Sequence, residues 1–412
     1  MRMASQQLAG RWEAAFAGRT RVDVGGGLAA ILALANVTDI ISFSGGFPDP
    51  KTFPADVVAR LMADLAAAGD ASAMQYAPTE GLPGPRAFMA DRLQEREGRR
   101  PAPQELLITS GGIEALDLVS KSLLDPGDLA LVEGPTYLGA IMAFRGFQAE
   151  VRAVPVDDEG LQVDRLADEL ERASRDRRVP KLLYTIPDHQ NPAGVTMSSD
   201  RREALVELAA RYGFLVVEDV AYRELGFDGD RGRLPSLWSL DPEVVVQAGT
   251  FSKTFFPGVR LGWAAGPAPV IAQMTSAKQN TDQCAGALGQ RLLEEYGRQG
   301  HLDAGIRRSV ELYARRCGLL LGALDRHMPK DDVTWTRPRG GFFSWMTLPS
   351  GLDTVELAKE AMAERVAFVP GAPFHPDGSG SNTLRLAFSR VEDDQIDEGI
   401  RRLAGVVKGA LR

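Results

Sequence analysis

Between about residues 100 and 290 the chain alternates short apolar runs with longer amphipathic stretches, and this alternation restricts the fold more than any other feature. Residues 129–133, 181–187, 214–219, 244–250 and 261–265 read as strands, each a short run of branched or bulky apolar residues. Helical patterns lie between several of them, such as 200–212, with Leu205, Leu208 and Ala209 on one face. Apolar strand runs separated by helices predict an α/β fold with a large, mostly parallel central sheet buried between helical layers. Further on, 301–327 reads as one long helix, and strand-like pieces at 341–348 and 383–388 flank a helix near 355–364. That order predicts a smaller α+β domain. The expected division is an N-terminal segment, 1–50, contributing to the small domain and the pocket; a large domain, 51–295; and a C-terminal small domain, 296–412.

Composition excludes several function classes. The 47 basic and 55 acidic residues leave a net charge of −8 with no basic stripe, which argues against a general nucleic-acid binder. Cys284 and Cys317 cannot form a disulfide framework, and His189, His301, His327 and His375 show no ligand spacing, so no metal site is expected. The first twenty residues hold no signal-peptide-like apolar stretch. The early apolar run 28–35 is far short of the ~20 residues a membrane helix requires. The expectation is a cytoplasmic protein that does not enter a membrane.

In an open parallel sheet, ligands gather outside the carboxyl ends of the strands. Here those ends carry an amide (Asn191, in DHQNPAG), a carboxylate and a phenol (Asp219 and Tyr222, after FLVVED), and an amine with two hydroxyls (Lys253, Thr250 and Ser252). A single lysine is usually solvated. Lys253, however, precedes the apolar segment FFPGV, and desolvation there would lower its basicity and free a neutral amine for Schiff-base chemistry. Thr250, Ser252 and Arg260 form a candidate anion site, unless the segment is only a strand followed by a Pro257-Gly258 turn. Asp219 sits at the edge of a core, where it is a cap, an ion-pair partner, or the partner of a protonated heteroaromatic nitrogen.

The segment ITSGGIEALDLVSKSLL reads as strand end, glycine turn and helix, with Ile113, Leu116, Val119 and Leu123 on one face. The amides of Gly112 and Ile113 would then be free for a phosphate. Tyr137, in VEGPTYLGA, either packs in the core or lays its ring against a flat ligand. Arg385, inside the apolar strand TLRLAF, needs an anion, which a protein carboxylate or a substrate carboxylate could supply.

Taken together, ISFSGGFPDP, QYAPTEGLPG, TSGGIEAL, EGPTY, QNPAG, EDVAY, TFSKTFFPGVRLGW, GGFFSW and LRLAF occur in an order that resembles the fold-type I aminotransferases dependent on pyridoxal 5′-phosphate. The resemblance runs from about Ile40 to Arg390 and is greatest to the subgroup of 2-aminoadipate and kynurenine aminotransferases. It implies a pyridoxal-phosphate enzyme that moves an amino group between a 2-amino acid and a 2-oxo acid with ping-pong kinetics, working as a homodimer. By the same resemblance Lys253 would hold the cofactor as a Schiff base and act as the base. Asp219 would pair with the pyridinium nitrogen, Asn191 and Tyr222 would bond the phenolic oxygen, and Tyr137 would stack on the ring. Gly112, Ile113, Thr250, Ser252 and Arg260 would bind the phosphate, with Tyr76 reaching across from a second subunit. Arg385 and Asn191 would grip the substrate carboxylate beside Gly46.

There are departures from the family pattern. SGGIEAL replaces a commonly polar turn, GLPGPRAF carries an extra proline around Pro85, and His189 stands where an aromatic residue is common. His189 either lies near the ring, as a substrate-binding residue, or simply packs. Two other outcomes stay open. The same scaffold supports decarboxylation, β- or γ-elimination or replacement, and carbon–carbon bond formation on an amino acid. It also occurs in regulators, although only about 40 residues precede ISFSGGFPDP here, with no basic recognition helix. The side-chain pocket is expected from residues 24–34, Gly46, His189 and GGFF, small and apolar enough for aromatic, branched or long-chain amino acids.

Overall fold

The computed structural model describes residues 11–20, 39–228 and 234–412. Among these residues the first strand, β1 (Ile41–Ser42), is followed by the strands of a large sheet: β2 (Leu106–Thr109), β3 (Leu129–Gly134), β4 (Glu150–Asp157), β5 (Gly160–Leu161), β6 (Leu182–Thr185), β7 (Leu215–Asp219), β8 (Val245–Thr250) and β9 (Gly262–Ala265). Their spatial order is β2-β9-β8-β7-β6-β3-β4-β5. The pairs β4/β3, β3/β6, β6/β7 and β7/β8 are parallel, whereas β9 is antiparallel to both its neighbours and β5 to β4. The strand expected at 261–265 therefore exists but runs against the rest. Only residues 251–261 separate it from β8, too few for the crossover that a parallel return requires.

The mainly apolar parallel strands bury both faces. Val132, Tyr184 and Val217 join one core, and Leu131, Leu183 and Val216 the other, as the two-residue side-chain period dictates. The helix Ser199–Tyr212 lies one residue from its expected start, and His301–His327 matches its expected span. Beyond it, β10 (Thr334–Trp335), β11 (Phe343–Thr347), β13 (Val369–Pro370) and β14 (Thr383–Ala387) build a four-stranded antiparallel sheet. The helix Thr354–Ala363 connects β11 to β12 (Val366–Ala367), which pairs in parallel with β1. That pairing ties the segment before the large sheet to the C-terminal part of the chain. No helix among the described residues is long and apolar enough to cross a membrane.

Between Thr185 and Ser199 the chain leaves the sheet in an irregular segment that carries Asn191. Its anchor is Asp188, which is almost fully buried between two arginines. Arg202 donates from Nη2 to Oδ1 at 2.7 Å, Arg223 donates from Nη1 to Oδ2 at 2.8 Å, and Arg223 also pairs with Glu97 at 2.8 Å. Burial alone would raise the Asp188 carboxyl, but the Arg223 and Arg202 charges outweigh it and hold the group well below the usual carboxylate range. The substitution Asp188→Asn keeps the shape and removes the charge, leaving buried guanidinium groups under-compensated. We expect urea denaturation to report a loss of about 3–5 kcal/mol for this variant; a midpoint equal to that of the wild type would show that the pair contributes nothing net.

Candidate active site

At the carboxyl ends of β6, β7 and β8 the structure opens a cavity of about 300 Å³. It brings together Gly46, Gly112, Ile113, Tyr137, Asn191, Asp219, Tyr222, Thr250, Ser252, Lys253, Arg260 and Arg385, residues that lie far apart in the chain. Parallel strands with short loops at one end produce this convergence.

Lys253 follows β8 directly. Its Nζ donates to the carbonyl oxygen of Gly46 at 3.0 Å and lies 5.7 Å from the centroid of the Phe342 ring. Burial pushes the ammonium down to about 8; Arg385 and Arg260 push the same way and Asp219 opposes them. A substantial share of the amine is thus neutral near physiological pH, as a nucleophile or proton acceptor requires. Asp219 ends β7. Its Oδ1 accepts from the Ala221 backbone N–H at 3.0 Å and its Oδ2 accepts from the Tyr184 hydroxyl at 2.7 Å. Burial raises this carboxyl, and no ion pair among the described residues offsets it.

One end of the cavity is rich in donors. The helix Gly112–Leu123 begins there, capped by Gly111 at φ +100°. That φ favours glycine, and a Cβ there would also crowd the Arg260 guanidinium at 2.7 Å. The Ser252 N–H and the Ser252 hydroxyl meet Thr250 Oγ1 at 3.2 and 3.0 Å. Below the turn, Glu114 accepts from the Ser110 N–H, and the fully buried Lys278 bridges Glu114 and Asp282 at 2.7 and 2.8 Å. Ile113 is 44% exposed rather than on the buried helix face, because its position in the first turn points it toward the mouth of the cavity.

At the opposite end Arg385 projects from β14. Nη1 donates to Asn191 Oδ1 at 2.9 Å, Nη2 donates to the Ser44 carbonyl at 2.8 Å, and the buried Nε has no hydrogen-bond partner. Burial lowers this guanidinium to about 10, opposed by Tyr222 and Tyr137. The rings of Phe343 and Phe374 lie 4.4 and 4.9 Å from its central carbon. Gly46 packs where a Cβ would meet Phe343 at 2.6 Å.

Two expected residues are not brought to the cavity. His189 packs against Gly340 and Gly341, its Nδ1 3.3 Å from Thr196 Oγ1. Burial pushes it down to about 4 despite the adjacent Asp188, so the imidazole is neutral, and it is not among the residues lining this cavity, in keeping with the packing alternative. Tyr76 is 75% exposed and does not line the cavity of its own chain. The pocket segment expected at residues 24–34 lies outside the described residues.

Sequence reasoning missed Tyr184 and Glu133. Glu133 is buried at the end of β3, where it accepts from Thr185 Oγ1 at 2.5 Å, the Ile186 N–H at 3.2 Å and Gln190 Nε2 at 2.9 Å. Burial raises it to about 7 against those bonds. The available signal was a polar atom inside each strand run, in LVEG and LLYT.

The sequence matches the family described as aminotransferase class I and II over residues 38–403. It is similar to the aromatic-amino-acid aminotransferase 1 of Thermococcus litoralis, 39% identical over 382 residues, covering 93% of this chain and 91% of the relative. It is equally similar to the 2-aminoadipate transaminase of Thermus thermophilus, 39% identical over 407 residues, covering 97% and 98%. Among solved structures it resembles the alpha-aminoadipate aminotransferase of Thermus thermophilus complexed with N-(5′-phosphopyridoxyl)-L-leucine, with a TM-score of 0.88 and 39% identity over 97% of this chain and 99% of that one. A match along nearly the whole chain, on a sheet whose strand ends gather an amine, a carboxylate and a guanidinium in one cavity, makes this chain a member of the class I and II aminotransferases.

Proposed function

We propose that this aminotransferase carries pyridoxal 5′-phosphate in the cavity, and that Lys253, Asp219 and Arg385 do the central work. The observation that carries this reading is a set of half-buried and buried charges lining one cavity without protein counter-charges. Asp219 has no ion pair among the described residues, and Arg385 has no carboxylate and an unbonded Nε. Such groups are costly unless a ligand completes them. A protonated ring nitrogen fits the first and a substrate carboxylate the second. The Gly111 turn, whose Cβ position is filled by Arg260, fits a phosphate.

When bound, pyridoxal phosphate supplies an aldehyde that condenses with amines and a ring that draws electrons from the substrate Cα. The chain's residues do the rest. Gly112, Ile113, Thr250, Ser252 and Arg260 anchor the phosphate by backbone and side-chain donors, and Tyr137 covers one face of the ring. Asn191 and Tyr222 would hold its phenolic oxygen, and Asp219 would keep the proton on the ring nitrogen. Arg385, with Asn191, orients the substrate carboxylate. Lys253 takes the proton from the substrate Cα, a role its lowered basicity supports. The substrate is a 2-amino acid with an apolar side chain. Phe47, Leu138, Phe343 and Phe374 line the cavity, and among the described residues its lining cations are Lys253, Arg260 and Arg385, each already given a role.

A homodimer in the cytoplasm completes the reading, with a large domain at 51–295 and a small domain formed by 296–412 with the segment before residue 50. The exposed Met74 and Tyr76, at 77% and 75%, support a partner covering that surface.

Borohydride treatment of the loaded enzyme is expected to label a peptide containing Lys253, with no label in Lys253→Ala and transamination down by roughly 10³-fold or more. Because the neutral amine is the nucleophile, cofactor capture by the apoprotein should accelerate as pH rises and level off above about 8. A rise continuing to pH values typical of a free lysine would overturn the buried assignment.

Arg385→Lys keeps the charge and loses the planar fork. Its KM for an amino donor should rise by about tenfold or more while the cofactor spectrum stays unchanged. In the same assay apolar donors should outperform aspartate and yield 2-oxo acids. Release of carbon dioxide, or of ammonia in the absence of any amino acceptor, would favour another outcome on this scaffold.

A further inference from the structure

Tyr184 lies in the middle of the large sheet with no exposed surface. A phenol there must find a partner for its hydroxyl, and the strand register decides which. β6 and β7 pair in parallel with Tyr184 opposite Val217. Side chains alternate along a strand, so Asp219, two residues beyond Val217, points to the same side of the sheet as Tyr184. The hydroxyl donates to Asp219 Oδ2 at 2.7 Å. Its ring is held edge-on by Phe144, with centroids 6.0 Å apart. The next residue, Thr185, is fixed in turn by Glu133, whose other contacts, Ile186 N–H and Gln190, secure the start of the loop that carries Asn191.

We propose that Tyr184 is the positioning residue for the Asp219 carboxylate, holding it from behind so that it meets the ring nitrogen of the cofactor in one fixed orientation and as an anion. This inference rests on the cavity reading above. The Ala221 N–H on Oδ1 and the phenol on Oδ2 occupy one lone-pair direction on each oxygen and stop the carboxylate from rotating. The other ionisable groups around Asp219 are Lys253, Tyr137, Tyr222 and Glu133. Of these only Lys253 favours the anion, so the hydrogen bond from Tyr184 is a principal device keeping the buried carboxylate charged. Without it the carboxyl becomes a stronger proton acceptor. The proton shared with the ring nitrogen moves to Asp219, the heterocycle becomes neutral, and the substrate Cα loses its electron sink.

The test uses holoenzyme loaded with cofactor whose ring nitrogen is isotopically labelled for NMR, in wild type and Tyr184→Phe. In Tyr184→Phe the ring-nitrogen resonance should move toward the neutral heterocycle. The single-turnover rate with an amino donor should fall about tenfold, the loss of one charge-assisted hydrogen bond, with KM for the donor unchanged because Arg385 is untouched. A second variant guards against misfolding. Fluorinated tyrosine incorporated at position 184 keeps the shape, strengthens the donor, and should move the resonance in the opposite direction. A resonance that stays at its wild-type position in both variants overturns the proposal, whether or not the rate falls, and leaves Tyr184 a packing role. If wild type takes up no cofactor while remaining folded, the cavity reading itself has failed and this inference falls with it.

Discussion

Unpaired charge gathered along one cavity is the constraint around which this chain is arranged. Arg385 is buried, Asp219 and Lys253 are half-buried along the cavity wall, and none is paired with an opposite charge at ion-pair distance among the described residues. A stable domain normally neutralises, pairs or exposes such groups. Here the surrounding structure maintains them by other means: backbone and phenol donors on Asp219, a carbonyl acceptor for Lys253, and an amide and a carbonyl for Arg385. Neutral partners of this kind orient a charge without cancelling it. The arrangement leaves the charges available to a ligand.

Keeping such a site open requires rigid surroundings, and fully paired networks supply them outside the cavity. Asp188 with Arg202, Arg223 and Glu97 clamps the loop carrying Asn191. Glu114 with Lys278 and Asp282 clamps the glycine turn at the donor-rich end. In the first, two carboxylates face two guanidinium groups, and in the second Lys278 serves two carboxylates, so in both every charge has an opposite partner, unlike the situation inside the cavity. The contrast separates scaffold from site more sharply than burial does, since Arg202 and Arg385 are both deeply buried.

Much of this was legible in the sequence because the relevant signals are local. Alternating apolar runs gave the parallel strands, and the residues just beyond them identified Asn191, Asp219 and Lys253 as neighbours without any contact being known. What failed depended on distant partners. The reversed direction of β9 follows from a short connection, and was missed because an apolar run carries no direction. His189 looked chemically available from its motif, yet Gly340 and Gly341, some 150 positions away, leave a flat recess that its ring fills. Tyr184 and Glu133 were hidden for a related reason. Each is one polar atom inside an apolar run, and its meaning comes only from the strand beside it.

The guanidinium of Arg385 also joins two parts of the fold that share no strand. It belongs to the C-terminal four-stranded sheet, yet its hydrogen bonds go to Asn191, beyond β6 of the large sheet, and to Ser44, just after β1. Ser44 lies in turn in the segment that pairs with β12 and continues to Gly46, the acceptor for Lys253. A carboxylate bound at Arg385 therefore bears on three chain segments at once, and through Gly46 on the amine itself. On the proposed reading this geometry couples recognition of the substrate's carboxylate to placement of the Lys253 amine, so a ligand lacking the carboxylate would leave Lys253 correctly built but Arg385 uncompensated.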